Sequence, residues 1–112
     1  MEIREREIGM VTVIDFKLDA NDRGGYDGLR QIVRERLDAG RLKFVINLAE
    51  CHSIDSLGLG ELIRSFVHVM RQGGNLKLAG VSIKIKGLLA ITKLNQVFEI
   101  YDDVDSAIAS FR

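Results

Sequence analysis

The pattern of hydrophobic and polar residues along the chain predicts nine secondary-structure elements. Short apolar or alternating runs at 3–7, 11–18, 44–48, 76–79 and 97–101 favour β-strands. Apolar residues at helical spacing favour four helices, which begin near positions 26, 55, 82 and 102. Gly9 is placed to turn the first two strands into a hairpin, while Gly40 and the glycines at 73–74 are placed to end helices.

The order of these elements predicts an α/β fold in a single domain, residues 1–112. After the two N-terminal strands, helices and strands alternate, and such crossover connections join mainly parallel strands. The expected architecture is therefore a mostly parallel mixed sheet with an antiparallel N-terminal hairpin and four helices. The first strand is rich in charge, which suits an edge position because charge discourages pairing with other chains.

Residues 51–60 connect the apolar third strand to the second helix, and they carry the most suggestive chemistry. Asp55 and Ser56 fall where a strand has ended and a helix begins, at the sheet edge that holds functional groups in open α/β folds. The helix start also offers unpaired N–H groups and a partial positive charge, which suit an anion such as phosphate. A stripe of six apolar residues is predicted to turn this helix toward the core: Leu59, Leu62, Ile63, Phe66, Val67 and Met70.

The residues alone leave two interpretations of Asp55 and Ser56 open. Both are preferred helix N-caps, and capping is the simpler interpretation. A regulated hydroxyl is the other, because Gly58 and Gly60 each cost a helix up to ~1 kcal/mol relative to alanine and allow a close approach. Leu57 is predicted to lie outside the core stripe, where it suits a contact surface. The polar loop at 19–22 also follows a strand and is predicted to share this edge.

Composition narrows the possible functions. Sixteen basic and sixteen acidic residues cancel, so we expect neither nucleic acid nor an anionic membrane as a partner. The N-terminal residues lack the apolar core of a signal peptide, and no apolar run approaches the ~20 residues that span a bilayer. Cys51 is the single cysteine, which suits a reducing compartment. We therefore expect a cytoplasmic protein without membrane insertion.

Motifs for metal, cofactor or catalytic chemistry are missing from the sequence. Cys51 and His52 are adjacent, but no further ligands stand at metal-binding spacing, and a structural role is the simpler interpretation. The glycines form no phosphate-binding loop. No nucleophile, base and orienting group come together, so we expect no enzymatic activity, no cofactor and no metal.

The stretch from 44–48 to Ile54-Asp55-Ser56-Leu57-Gly58-Leu59-Gly60 resembles the STAS domain family, the sulfate-transporter and anti-sigma-factor-antagonist domains. It is most similar to the stand-alone bacterial anti-sigma factor antagonists, whose core pattern is an apolar strand followed by Asp-Ser-Ser/Thr-Gly-Leu at a helix start. Asn75-Leu76-Lys77-Leu78 after two glycines and Val97-Phe98 resemble later parts of that family's pattern. The resemblance covers nearly the whole chain.

The resemblance implies a phosphorylation-controlled partner switch. Ser56 corresponds to the serine that is phosphorylated in that family by a kinase that is also the anti-sigma factor. Binding to that kinase frees the sigma factor, phosphorylation releases the kinase, and a phosphatase is expected to reset Ser56. The resemblance, together with the edge described above, suggests seven partner-binding residues: Asp19, Asn21, Asp55, Ser56, Leu57, Gly58 and Leu59.

Two other functions compete with this one. The chain could be a STAS scaffold that binds a transporter subunit or a sensor and is never phosphorylated at Ser56. It could instead bind a nucleotide or another small ligand at the edge formed by Asp19 and Ser56. Phosphorylation of Ser56 separates the first alternative from the switch, and stabilisation by an added ligand would reveal the second.

Overall fold

Five strands form one mixed sheet in the order β1-β2-β3-β4-β5. The computed structural model describes residues 2–17 and 27–111. The strands are β1 (Glu2–Ile8), β2 (Val11–Lys17), β3 (Lys43–Asn47), β4 (Asn75–Ala79) and β5 (Ile100–Tyr101). The helices are α1 (Asp27–Asp38), α2 (Ser56–Arg71), α3 (Ile83–Ile91) and α4 (Val104–Ala109), with a 3₁₀ turn at Leu94–Gln96. The predicted α/β fold and its order of elements are confirmed.

The N-terminal hairpin supplies the antiparallel edge of the sheet. Gly9 has a φ of 61°, which a two-residue hairpin turn requires, and Glu2 through Ile8 pair in register with Lys17 through Val11. All other neighbouring strands are parallel. Across the hairpin, Arg6 Nε donates to Asp15 Oδ2 at 2.7 Å. The charged strand therefore lies at the edge, as its sequence predicts.

Helices cover the two faces of the sheet unequally. On one face, α1, α2 and α3 enclose the larger core, in which Phe44, Ile46 and Leu78 are fully buried. On the other face, the short helix α4 covers a smaller cluster that includes Val13 and Val45. The alternation of side chains along β2 and β3 feeds both clusters, because successive residues of a strand point to opposite faces.

Helix α2 is turned relative to the stripe that its sequence predicts. Leu62 is buried, and Leu59, Ile63 and Phe66 pack partly against the core, but Val67 and Met70 are 37% and 46% exposed. The prediction that these two residues face the core is therefore wrong.

The buried side of α2 instead includes two polar residues, Glu61 and Ser65. The carboxylate of Glu61 lies 3.3 Å from Arg30 Nε of α1 and accepts a hydrogen bond of 3.0 Å from Arg64. An ion pair of this kind offsets the free-energy cost of removing the carboxylate from water. Helix α2 therefore turns Glu61 toward α1 and leaves Val67 toward solvent.

The last strand is shorter than its apolar run predicts. Residues 97–99 precede the strand, and the chain enters it from the 3₁₀ turn, at whose start Lys93 has a φ of 61°. Phe98 is buried and meets Phe66 edge-to-face, with ring centroids 5.0 Å apart. Packing of this aromatic pair against the core, rather than strand pairing, accounts for the apolar character of the run. No helix within residues 2–17 and 27–111 is long and apolar enough to cross a membrane.

Candidate functional site at the start of helix α2

Residues 48–55 leave the carboxyl end of β3 and are fixed by backbone hydrogen bonds before α2 begins. Leu48 N donates to Ala79 O at 2.9 Å, and Cys51 N donates to Leu48 O at 3.0 Å. The Cys51 thiol donates to Ser53 O at 3.3 Å, so the segment is also tied within itself. Ile54 packs partly against the main core. Apolar anchoring on one side of the segment leaves the polar residues that follow on the surface.

A glycine permits this segment to lie close to the end of β4. Gly80 has a φ of 67°, a conformation that residues with a Cβ rarely adopt. A Cβ at Gly80 would also stand 3.0 Å from the Cβ of Ala49 and 3.1 Å from Asn47 Oδ1. Asn47 Nδ2 in turn donates to Asp15 Oδ1 at 2.8 Å. The ends of β2, β3 and β4 are thereby held together beneath the helix start.

The start of α3 is joined to the same segment by Ser82. Its hydroxyl donates to His52 O at 2.9 Å and also accepts from Ile85 N at 3.2 Å, which caps α3. A helix start near position 82 is predicted from the sequence, whereas the bond to His52 is not. Because that bond joins residues that are thirty apart in the chain, no local pattern indicates it. The helix starts of α2 and α3 therefore lie at one edge of the sheet.

Asp55 is the N-cap of α2. It has an extended backbone, and its Oδ1 accepts a hydrogen bond of 2.9 Å from Gly58 N. Its own carbonyl accepts the first helical bond, from Leu59 N, also at 2.9 Å. The capping interpretation is thus confirmed for Asp55, while Ser56 next to it takes no part in the cap.

Ser56 is the first helical residue and is exposed. Its hydroxyl has no hydrogen-bond partner among residues 2–17 and 27–111. Leu57 beside it is 66% exposed, as predicted. The N–H groups of the first helical turn favour negative charge next to them, so the Ser56 hydroxyl could carry a phosphate without disturbing the core.

One side of α2 continues from Ser56 as a surface of small and apolar residues, which we call the Ser56 stripe. At spacings of four and three residues it consists of Ser56, Gly60, Ile63, Val67 and Met70. A Cβ added to Gly60 would meet no atom within 4 Å, so nothing in the described ranges fills the space above this glycine. The stripe leaves room for a close approach from outside.

The predicted partner-binding residues fall into three groups. Asp55, Ser56 and Leu57 are exposed together at the helix start. Gly58 is buried, and Leu59 packs partly against the main core. Asp19 and Asn21 lie outside the residues that the structure describes, so their place at this edge stays a prediction.

Cys51 and His52 do not form a reactive pair in the structure. Cys51 is 1% exposed, and burial raises the pKa of its thiol, which keeps it protonated near neutral pH. His52 is exposed, and the described residues contain no group of three side chains that could hold a metal ion.

A cleft of about 360 Å³ opens elsewhere on the sheet. Its lining includes Arg4, Asp15, Lys17 and Asn47, whose position along their strands places them on the α4 side. Ser56 belongs to a helix on the opposite face. The cleft therefore gives no support to a ligand held by Ser56.

The fold and the start of α2 define a small α/β domain with an exposed serine at a helix start, and comparison with known proteins agrees with this class. The sequence model of the STAS domain matches residues 22–107. A candidate anti-sigma factor antagonist of Thermotoga maritima is 30% identical over 78 residues, which make up 70% of this chain and 69% of that protein. A candidate anti-sigma factor antagonist of Thermotoga neapolitana, named as a homologue of the protein TM1081, is 31% identical over 74 residues, which make up 66% of each chain. The chain therefore belongs to the STAS domain family, and it groups there with the anti-sigma factor antagonists.

Solved structures share the fold at lower identity. The crystal structure of the candidate antagonist from Thermotoga maritima has a TM-score of 0.83 at 21% identity, over 96% of this chain and 92% of that one. The phosphorylated form of the Bacillus cell-fate determinant SpoIIAA has a TM-score of 0.76 at 16% identity, over 99% of this chain and 100% of that one.

Proposed function

We propose that this protein is an anti-sigma factor antagonist that acts by partner switching. In its unmodified form it binds a serine kinase that is also an anti-sigma factor, and this frees the sigma factor. Phosphorylation of Ser56 by the kinase ends the complex, and a phosphatase restores the hydroxyl. The membership of the antagonist group supports the partner class, and the similarity in fold to the phosphorylated form of the Bacillus cell-fate determinant SpoIIAA is consistent with the modification.

The observation that carries the proposal is the position of the Ser56 hydroxyl. It is exposed, it is free of hydrogen bonds within the described part of the chain, and it stands directly after the capping carboxylate of Asp55. A kinase can reach such a hydroxyl without unfolding the helix. Leu57 and the Ser56 stripe supply the apolar surface on which a partner can dock around it.

A charge at this position explains how binding would be lost. A phosphate adds about −1.5 to −2 charges at neutral pH, next to the carboxylate of Asp55. The N–H groups of α2 can offset that charge within this protein, whereas an interface that fits a neutral hydroxyl has to desolvate it beside a like charge. A cost of ~3 kcal/mol lowers affinity more than a hundredfold. The switch therefore needs no change of fold.

The phosphorylation itself is tested by intact-mass spectrometry after incubation with ATP and a lysate of the source cells. We expect wild type to gain one phosphate and Ser56→Ala to gain none. Ser53→Ala is the matched control, because Ser53 is also exposed and lies three residues earlier. Phosphate on Ser56→Ala, or none on any variant while the kinase is active on another substrate, would overturn the proposal. The second outcome would favour an unmodified scaffold.

The consequence for binding is tested with the purified kinase. Ser56→Ala is expected to bind as wild type does, while Ser56→Asp is expected to bind at least ~10-fold more weakly because it places a negative charge at the interface. Circular dichroism should show the same fold for both variants. Equal affinity of Ser56→Asp and Ser56→Ala, with both folded, would contradict the charge switch.

A further inference from the structure

Charge is distributed very unevenly along this neutral chain. Residues 62–98 contain six basic residues and no acidic residue, while the other 75 residues contain ten basic and sixteen acidic ones. This segment includes most of α2 and all of α3. The net charge of zero therefore conceals a segment that is basic along the sequence, although Lys77 within it is buried and Arg64 pairs with Glu61.

The lysines of α3 are available to a partner. Lys84 and Lys86 are exposed, and neither forms an ion pair with any residue in 2–17 or 27–111. Several cations outside this segment pair with nearby acids, as in the pair Arg36–Glu5, whose Nε and Oε2 atoms are 3.3 Å apart. No acidic residue within 62–98 compensates the positive charge of α3 along the chain.

The outer side of α3 is apolar as well as basic. Its inner side is buried through Ile85 and Leu89, but Ile83 and Ile91 on the outer side are 89% and 83% exposed. These two side chains are eight residues apart, about 12 Å along the helix axis. Between them lies Gly87, where an added Cβ would meet nothing within 4 Å. A glycine in a helix costs ~1 kcal/mol relative to alanine, so folding alone does not favour this arrangement.

This outer side is continuous with the candidate site. The bond from Ser82 to His52 O places the start of α3 beside the segment that leads to Ser56. Ile83 is the first residue of α3, and Lys84 and Lys86 follow within the first turn. A partner that covers Ser56 is therefore well placed to reach α3.

We propose that the outer side of α3 is a docking surface for an acidic, apolar groove on the protein partner. Ile83 and Ile91 enter the groove on either side of Gly87, and carboxylates at its rim pair with Lys84 and Lys86. That this partner is the kinase rests on the proposed function. The chemistry of the surface does not depend on it. Two isoleucines on a short helix, in a chain that is otherwise net acidic, suit a protein groove better than a membrane.

The surface chemistry can be tested without the kinase. The probe is a labelled helical peptide of about 18 residues, whose leucine face bordered by glutamates reproduces the apolar and acidic chemistry of the proposed groove; isolated helices shorter than ~12–15 residues are marginal in water. The control peptide has lysines in place of the glutamates. Fluorescence anisotropy is recorded at about 50 and 300 mM salt, between which charge attraction becomes strongly screened. Vesicles of phosphatidylglycerol serve as a second probe, and sedimentation of the protein alone measures self-association.

We expect the glutamate peptide to bind, at least ~10-fold more weakly at the higher salt concentration, and the lysine peptide not to bind. Lys84→Glu with Lys86→Glu, and separately Ile83→Ser with Ile91→Ser, should each weaken binding at least ~10-fold. The matched controls are Arg34→Glu and Met10→Ser, which alter exposed residues elsewhere. Circular dichroism should show every variant folded, since all four residues of the test pairs are exposed.

Several outcomes would overturn the proposal. These are failure of the glutamate peptide to bind, equal binding of both peptides, or equal effects of the test and control variants. Binding to vesicles alone would assign α3 to an anionic membrane, and self-association lost in the α3 variants would assign it to a second copy. With the purified kinase, unphosphorylated α3 variants that bind with wild-type affinity and are then phosphorylated at Ser56 would remove α3 from that complex and leave the switch intact. If the peptide binds at α3 but Ser56 is not phosphorylated, the docking surface stands and the proposed switch fails.

Discussion

Gly60 links the stability of α2 to the proposed contact, and Gly60→Ala tests both. The residue lies in the fifth position of the helix, where glycine costs up to ~1 kcal/mol relative to alanine. The new Cβ would meet nothing within 4 Å, so no clash offsets the gain. We therefore expect the free energy of unfolding to rise by about 0.5–1 kcal/mol. For a domain of this size that raises the melting temperature by about 2–4 °C.

Urea unfolding monitored by circular dichroism measures this change. Gly74→Ala is the matched control, because its Cβ would stand 2.3 Å from Leu42 O and 3.0 Å from Val69 Cγ1. That variant should lose ~1–3 kcal/mol through overpacking. If Gly60→Ala is as destabilising as Gly74→Ala, the space above Gly60 is not open and the reasoning fails.

The same variant has a second readout. The added methyl group lies in the Ser56 stripe, so it should weaken binding of the kinase although it stabilises the free protein. A stabilised variant with unchanged affinity would mean that no partner approaches Gly60 closely. A higher free energy of unfolding together with a lower affinity for the kinase would support a contact at this position. A change in folding alone would not weaken the binding of a more stable protein.

Four further predictions concern the fold. Asp55→Ala should cost ~1 kcal/mol in urea unfolding through loss of the N-cap, while Asp55→Asn, which can still cap, should cost less. Lys77→Met should cost ~1–2 kcal/mol, because the buried ammonium donates to Ser110 Oγ at 2.7 Å; no loss of stability would show that this bond is dispensable. Cys51 should react with a maleimide at pH 8 only after unfolding, because burial raises the pKa of its thiol. That pKa shift also predicts stability that is present below the ordinary value of 9.0 and lost at higher pH, which unfolding from pH 8 to 10 would measure.

The sequence predicts the order of the elements well because helical spacing of apolar residues and the alternation typical of strands are both clear along most of the chain. A hairpin turn at Gly9 and nearly unbroken apolar character in β3 leave few alternatives to a mixed sheet with parallel centre strands. The cap at Asp55 and the exposure of Leu57 also follow from local rules, since N-cap preference and helical spacing involve only neighbouring residues.

Features that depend on distant contacts are not predictable in this way. The rotation of α2 depends on the ion pair between Glu61 and Arg30, which lie far apart in the sequence. Alternation in β4 places Lys77 on the side opposite the main core, but its burial depends on the residues that follow α4, where the Phe111 ring centroid lies 4.2 Å from its Nζ. The excess of basic residues at 62–98 is missed for a different reason: the net charge averages over the whole chain.

Helix α2 serves folding and binding with different sides. Leu62 and Val69 hold it to the core, and Glu61 joins it to α1, while Ser56 and Leu57 lie on the surface. A charge placed on Ser56 is therefore distant from the contacts that fix the helix, and the N–H groups of the first turn partly offset it. Phosphorylation would then change the affinity of a surface rather than the stability of a fold. Since the free protein bears little of the cost, nearly all of the switching energy has to arise in the interface, where desolvation makes the added charge most unfavourable.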